Sequence, residues 1–235
     1  MRHAAQATDH HTVDEPSSRE VPEAVAYVRD LLDGLGAAWV LCGGWAADAW
    51  LGRQTRDHGD VDIAVFHHDQ RAVFEHFPGW ALVAHDPGVP DDTTEQWNGR
   101  PLDLPAHIHL PELHSPLSTS ATLTHTEFGF EFLLNERSGH DWVLNREHGI
   151  AVPLERAVQT SQWGLATAAP EIVLFFKAGG HLTPDQAHAA NDVLRPHDEQ
   201  DLLALLPILT TDRRTWLAHT LGKTHPGHRW LTHLH

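Results

Sequence analysis

The sequence predicts an α+β fold, in which helices flank a mixed β-sheet and a smaller helical region follows. Short apolar runs alternate with segments of helical spacing through the first part of the chain. From Pro170 onward the apolar segments have helical spacing. The chain has 235 residues, of which 41% are hydrophobic, so it can bury a substantial core.

Three segments are predicted from these patterns. Residues 1–16 are polar and aperiodic, which is typical of a disordered tail. Residues 17–160 contain the alternating strands and helices and are predicted to form the α/β domain. Residues 161–235 are predicted to form a helical domain.

The first elements follow from local signals. Ser17 and Glu20 have the spacing of a capping box ahead of an apolar helical repeat. Alternation and apolar runs define the strands that follow it. In chain order, we predict a helix over 21–35, a strand over 38–42, a helix over 45–52, a strand over 60–66, a helix over 68–77 and a strand over 80–85.

The later elements are predicted in the same way. Asn98-Gly99 is a strong hairpin-turn signal, and residues 100–104 would form the second arm of that hairpin. The remaining predicted elements are strands over 127–134 and 141–145 and helices over 169–180, 195–209 and 210–222.

Composition narrows the classes of function. The formal net charge of −16 disfavours nucleic-acid binding, because an acidic surface repels phosphates. The 22 histidines are scattered without a recognisable ligand spacing, so we predict no zinc site. One cysteine, no apolar leader at the N-terminus and no run of 18 apolar residues predict a cytoplasmic protein without a membrane span.

Two carboxylates open the second predicted strand, in "TRDHGDVDIAVF". Asp60 and Asp62 lie on one face of that strand, with Cα atoms about 7 Å apart. Unpaired, they would repel each other and resist burial. Protonation, a basic side chain or a hard divalent cation such as Mg²⁺ could each relieve that repulsion.

The residues that precede these acids favour the metal. Gly43 and Gly44 let a ligand approach the backbone closely, and a helix beginning at Trp45 would direct N–H groups at an anion. Arg56 and His58 stand just before the acids, and Arg56 can neutralise phosphate oxygens. A glycine turn, then a basic residue, then paired acids is an order that suits a nucleoside triphosphate bound with magnesium.

The run "GGWAADAWLGRQTRDHGDVDIAV" resembles the nucleotidyltransferase superfamily, whose fold is the polymerase beta-like mixed sheet. Within it, the run looks most like lincosamide and aminoglycoside 2″-nucleotidyltransferase-like proteins. The matching positions are Gly43, Gly44, Trp45, Asp48, Gly52, Thr55, Arg56, His58, Asp60 and Asp62.

The resemblance implies a reaction and its partners. A nucleoside monophosphate would pass from an NTP, expected to be ATP, to a hydroxyl of a small molecule, and pyrophosphate would leave. The paired acids would hold Mg²⁺, which aligns the attacking and leaving groups. An antibiotic acceptor, and hence antibiotic resistance, is one implied possibility.

The family also implies a third carboxylate on a neighbouring strand. We favour Asp103, which follows the predicted hairpin turn, as the third catalytic carboxylate, which binds metal or takes the proton of the hydroxyl. Glu131 is the competitor, but its alternation with Phe130 and Phe132 has a simpler explanation, the solvent face of a half-buried strand.

Lys177 ends an otherwise apolar helix. It either extends its amine to water or, as the resemblance implies, meets the triphosphate. Asp198 and Asp201 stand near the start of a helix, where acids complement the helix dipole, so they receive no role in the site.

Two other functions fit the same residues. A toxin-type nucleotidyltransferase would modify tRNA or protein, although the acidic charge disfavours tRNA. A non-catalytic nucleotide-binding protein could retain the fold, and an absent third acid would favour it. The sequence specifies neither the acceptor nor the oligomeric state.

Overall fold

The structure is a computed structural model that describes residues 20–87, 96–110, 129–182 and 195–234. The predicted disordered tail and Ser17 lie outside the described residues. The helices are α1 (Glu23–Leu31), α2 (Gly43–Leu51), α3 (Gln70–His76), α4 (Leu154–Ala157), α5 (Pro170–Lys177), α6 (Pro196–Leu205), α7 (Thr211–Thr224) and α8 (Leu231–Leu234). The strands are β1 (Trp39–Leu41), β2 (Val61–Phe66), β3 (Val83–His85), β4 (Ala106–Leu110), β5 (Phe130–Ser138), β6 (Asp141–Asn145), β7 (Ile150–Pro153), β8 (Val158–Thr160) and β9 (Ala166–Ala168).

These strands form one mixed sheet in the order β3-β4-β5-β2-β1-β9-β8, with β6 and β7 extending from β5 as a hairpin. The pairs β2–β5 and β1–β9 are parallel, and the other pairs are antiparallel. The predicted α+β class with a mixed sheet flanked by helices is therefore confirmed.

The register of β2 against β5 positions the polar residues of both strands. Asp62 lies directly opposite Glu131, while Ile63 lies opposite Phe132. Ile63 and Phe132 are at most 1% exposed, so their side of the sheet is core. Because side chains alternate along a strand, the two carboxylates share the other side.

Helix α5 is buried on nearly every side. Its residues Ile172 to Phe175 are at most 3% exposed. It contacts α2, α6 and α7, so it joins the turn after β1 to the C-terminal helices. The described residues include no helix long and apolar enough to cross a membrane.

The prediction that residues 100–104 form the second strand of a hairpin at Asn98-Gly99 is wrong. Residues 100–104 form no strand, and Gln96 makes only an isolated bridge to Val83. Pro101 and Pro105 have no N–H to donate to a ladder, which explains why the strand begins only at Ala106.

Strands β4, β7, β8 and β9 lie outside the predicted strands. Strand β9 pairs with β1, so the sheet continues beyond residue 160, where the α/β domain was expected to end. The division into two domains remains a prediction.

Two adjacent leucines on α6 provide a test of which side of that helix is buried. Leu202 is 0% exposed and Leu203 is 52% exposed. Leu202→Ala should lower the free energy of unfolding by about 2–5 kcal/mol, since it leaves a cavity. Leu203→Ala should change it by less than about 0.5 kcal/mol. Urea denaturation measures both, and equal losses would contradict this placement of α6.

Candidate active site

The turn between β1 and α2 is built around the carboxylate of Asp62. Gly43 has φ +61°, and a Cβ atom added there would lie 1.7 Å from Oδ2 of Asp62. The N–H of Cys42 donates to the backbone oxygen of Asp62 at 2.9 Å. Glycine is therefore required at position 43 both by the left-handed backbone and by the contact with this acid.

Gly44 leaves room for two basic side chains. A Cβ atom there would lie 2.4 Å from Nη2 of Arg56 and 2.4 Å from Nδ1 of His58. The His58 ring packs on Trp45, with ring centroids 4.2 Å apart. Trp45 is 5% exposed and the His58 side chain 3%, so both lie beneath the turn.

Asp48 organises the loop that leads into β2. It is fully buried, and it accepts hydrogen bonds from the backbone N–H and the hydroxyl of Thr55. Nε2 of His58 lies 2.6 Å from its Oδ2. The sequence placed Asp48 within the matching run but gave it no role. Its role is to fix Thr55 and His58 against α2.

Three carboxylates meet at the starts of β2 and β5. Ligand oxygens of Asp60, Asp62 and Glu131 all lie within 4.8 Å of one another. Burial, reinforced by repulsion from Asp60, raises the pKa of Asp62 to about 6. Burial, reinforced by Asp62 and Asp60, raises the pKa of Glu131 to about 8. Without a cation these acids resist simultaneous ionisation.

Asp103 lies elsewhere, which corrects its expected position. It is exposed, and its N–H donates to Asp86 at 3.0 Å. Strand β4 runs antiparallel to β5, with Ala106 opposite Leu134 and Leu110 opposite Phe130. Asp103 therefore precedes the end of β4 that is far from Glu131. Each residue advances a strand by about 3.3 Å, so several residues along the sheet separate the two carboxylates.

Glu131 lies on the strand paired with β2, beside Asp60 and Asp62. The sequence placed it on a solvent face because its neighbours Phe130 and Phe132 alternate with it. The structure shows that this polar face is one wall of a cleft rather than open surface. Only the pairing of β5 with β2 reveals this, and the two strands are separated by more than 60 residues in the chain.

Lys177 is held by two buried acids rather than extended to water. Its amine lies 2.9 Å from Asp198 and 2.7 Å from Asp201, and its side chain is 7% exposed. Arg56 donates two hydrogen bonds to Asp201, at 3.1 and 3.0 Å, and Arg195 donates to Asp198 at 2.9 Å. Asp198 and Asp201 therefore position the cations, a role that helix-dipole reasoning missed.

A group of histidines adjoins Glu131 on the same face. His107 Nδ1 and His109 Nε2 each lie 3.4 Å from its Oε1. His85 on β3 lies opposite His107, with ring centroids 4.9 Å apart. Burial and the two neighbouring histidines lower the pKa of His109 to about 4. The sequence contained one usable signal, the pattern His107-x-His109 in a strand.

A cleft of about 600 Å³ opens beside these groups. Its wall includes the three carboxylates, Gly43, Lys177 and Arg195. Cys42 also lines the cleft, and burial and Asp62 raise the pKa of its thiol. Asp103 instead lines an adjoining pocket with His67 and Arg137.

The donor set suits a hard divalent cation. Three carboxylates that converge within 4.8 Å supply the oxygen ligands that such ions prefer. The raised pKa values of Asp62 and Glu131 indicate that the site gains from a positive charge. The fold, the glycine turn and the carboxylate pair that opens β2 are the features by which the chain resembles nucleotidyltransferases.

Comparisons with known proteins agree with this class. A family model described as aminoglycoside-2″-adenylyltransferase matches residues 24–84, the segment from α1 to β3 that contains the turn and both aspartates. No curated protein matches the chain significantly.

Solved structures match over most of the chain. The solution structure of the antibiotic-resistance factor ANT(2″)-Ia has 14% identity and a TM-score of 0.54, covering 90% of this chain and 96% of its own. A crystal structure of ANT(2″)-Ia with adenylyl-2″-tobramycin has 13% identity and a TM-score of 0.49, covering 85% and 95%. The lincosamide antibiotic adenylyltransferase LnuA, bound to lincomycin, has 17% identity and a TM-score of 0.49, covering 80% and 98%. The match at 0.54 supports the fold.

The raised pKa of Glu131 predicts a pH-dependent stability in metal-free buffer. Its pKa is about 8 in the folded chain against a reference of 4.5, so ionisation destabilises the fold. The stabilising contribution of the protonated group is complete below pH 4.5 and is lost as the pH rises through 8. Glu131→Gln removes this loss and should raise the melting temperature more at pH 8.5 than at pH 5.

Glu147→Gln is the matched control, because Glu147 is exposed in the turn between β6 and β7. It should leave the melting temperature nearly unchanged at both pH values. Thermal unfolding followed by circular dichroism measures all three proteins. A Glu131→Gln gain that is the same at both pH values would contradict the assigned burial and repulsion.

Proposed function

We propose that the protein transfers a nucleoside monophosphate from ATP to a hydroxyl of an aminoglycoside- or lincosamide-like small molecule and releases pyrophosphate. The observation that carries this proposal is the convergence of Asp60, Asp62 and Glu131 beside the Gly43-Gly44 turn. The match of residues 24–84 to an adenylyltransferase family supports the choice of chemistry.

The three acids have distinct proposed roles. Asp60 and Asp62 hold Mg²⁺, and Glu131 completes the ligand set in the place first assigned to Asp103. Bound Mg²⁺ would neutralise charge that develops on the phosphate oxygens. A bound cation would hold Glu131 ionised, and we propose that the carboxylate then accepts the proton of the acceptor hydroxyl.

The turn and the cations bind the triphosphate. The first N–H groups of α2, at Gly43, Gly44 and Trp45, lack partners within the helix and can bind phosphate oxygens. Lys177 lines the cleft and supplies positive charge. Arg56 and His58 support this binding indirectly, since Arg56 is bound to Asp201 and His58 to Asp48.

The cleft accommodates both substrates in one space. Its volume of about 600 Å³ is within the range of small-molecule sites. The net charge of −16 favours a cationic acceptor such as an aminoglycoside over a nucleic acid. We propose a cytoplasmic location on the sequence grounds given above, and a role in antibiotic resistance follows if the acceptor is an antibiotic.

A mass-spectrometric screen tests the proposal. The protein is incubated with Mg²⁺, each of the four NTPs and a panel of aminoglycosides, lincosamides and other hydroxylated molecules. We expect a nucleotidylated adduct of an aminoglycoside or a lincosamide, with ATP preferred, together with released pyrophosphate. Nucleotide binding without any adduct across the panel would refute the proposed transfer and favour a non-catalytic nucleotide-binding protein.

Paired variants distinguish the two candidates for the third acid. Glu131→Gln should lower magnesium-dependent turnover by at least about 100-fold, because it removes a ligand and the base. Asp103→Asn should leave turnover within about twofold, since Asp103 lies outside the cluster. Pyrophosphate release with the acceptor found above measures both. The reverse outcome would restore Asp103 as the third acid.

A further inference from the structure

Three histidines lie on one face of the sheet beside the carboxylates. Strands β3 and β4 are antiparallel, and their register sets His85 opposite His107. His107 and His109 are two residues apart on β4, so their side chains point to the same side. The three rings have centroids 4.8 to 5.2 Å apart.

Their nitrogens are spaced for a shared ion. One ring nitrogen of each histidine lies within 4.8 Å of one ring nitrogen of the other two. Zinc bonds of 2.0–2.1 Å place tetrahedral ligand atoms about 3.3 Å apart. Small rotations of the rings would therefore bring all three nitrogens onto one ion.

Glu131 can supply a fourth ligand, because it lies beside two of the three histidines. Oε1 of Glu131 lies 3.4 Å from Nδ1 of His107 and 3.4 Å from Nε2 of His109. These separations match two edges of a tetrahedron around an ion with bonds of zinc length. Three imidazoles and one carboxylate form a donor set typical of zinc and unlike the all-oxygen set on the other side of Glu131.

A second observation, a nitrogen of His85 that is unpaired among the described residues, also indicates that the histidines bind an ion. His85 is 4% exposed, and its Nδ1 is buried without a hydrogen-bond partner in the part of the chain that the structure describes. A buried nitrogen left in this state costs free energy. Coordination or a proton shared within the cluster would remove that cost.

We propose that His85, His107, His109 and Glu131 form a binding site for a first-row transition ion of the zinc type. This site is separate from the proposed magnesium site, but the two share Glu131, which adjoins both the histidines and the Asp60-Asp62 pair. The chain would then hold a hard cation and a softer one on either side of a single carboxylate. The inference does not depend on the transfer reaction.

The alternative is a hydrogen-bonded cluster without metal, in which the histidines donate to Glu131. Metal titration distinguishes the two. The full chain, stripped with a chelator, is titrated with Co²⁺ and its visible absorption recorded, and with Zn²⁺ in competition with a chromophoric chelator. We expect the intense absorption typical of tetrahedral Co²⁺ and one tight equivalent of Zn²⁺.

Variants identify the residues that bind the tight equivalent of Zn²⁺, because other histidines of the chain can bind zinc weakly. His109→Gln should abolish the tetrahedral Co²⁺ spectrum and the tight equivalent, and Glu131→Gln should weaken Zn²⁺ by at least about 10-fold. His219→Gln, at an exposed position of α7, is the control and should change neither. His107→Gln replaces His109→Gln if the latter fails to fold, as judged by circular dichroism.

Two outcomes would overturn the proposal. One is a tight equivalent that persists in a folded His109→Gln or His107→Gln protein. The other is a wild-type Co²⁺ spectrum with only the weak absorption of octahedral coordination. Either result would mean that the histidines and Glu131 are linked by hydrogen bonds alone.

Discussion

The parallel pairing of β2 with β5 is the contact on which the site depends. It sets Asp62 opposite Glu131, although mutual repulsion and burial oppose that placement. The opposite face of the same two strands supplies the compensation. Ile63 and Phe132 are at most 1% exposed there, and each such side chain stabilises the fold by roughly 1.5–3 kcal/mol. One face of the strand pair thus holds the acids of the other face together.

A buried network of ion pairs links the C-terminal helices to the same cleft. Asp201 on α6 binds both Arg56, from the loop before β2, and Lys177, from the end of α5. Removing one member of such a network leaves an uncompensated buried charge, which is costlier than the network itself. The helices therefore fix where positive charge stands beside the acids, in addition to covering the sheet.

Local signals in the sequence were sufficient for the fold class and for part of the site. The glycine turn, the Asp60-x-Asp62 strand and the apolar helix ending at Lys177 each show their chemistry within a few residues. Glu131 and Asp201 do not, because their roles arise from partners more than 60 residues away, at Asp62 and Arg56. The prediction at Asp103 failed for a local reason, because Asn98-Gly99 indicated a hairpin turn but residues 100–104 form no strand.

The burial of Cys42 has a practical consequence for spectroscopy. It is the sole cysteine of the chain, is 7% exposed, and has a thiol pKa raised by burial and by Asp62. Thiolates rather than thiols react with alkylating reagents, so the native chain is nearly unreactive towards them. A cysteine introduced at Leu203, on the exposed side of α6, would take up a fluorophore selectively. The wild-type background thus needs no cysteine removal before site-directed labelling.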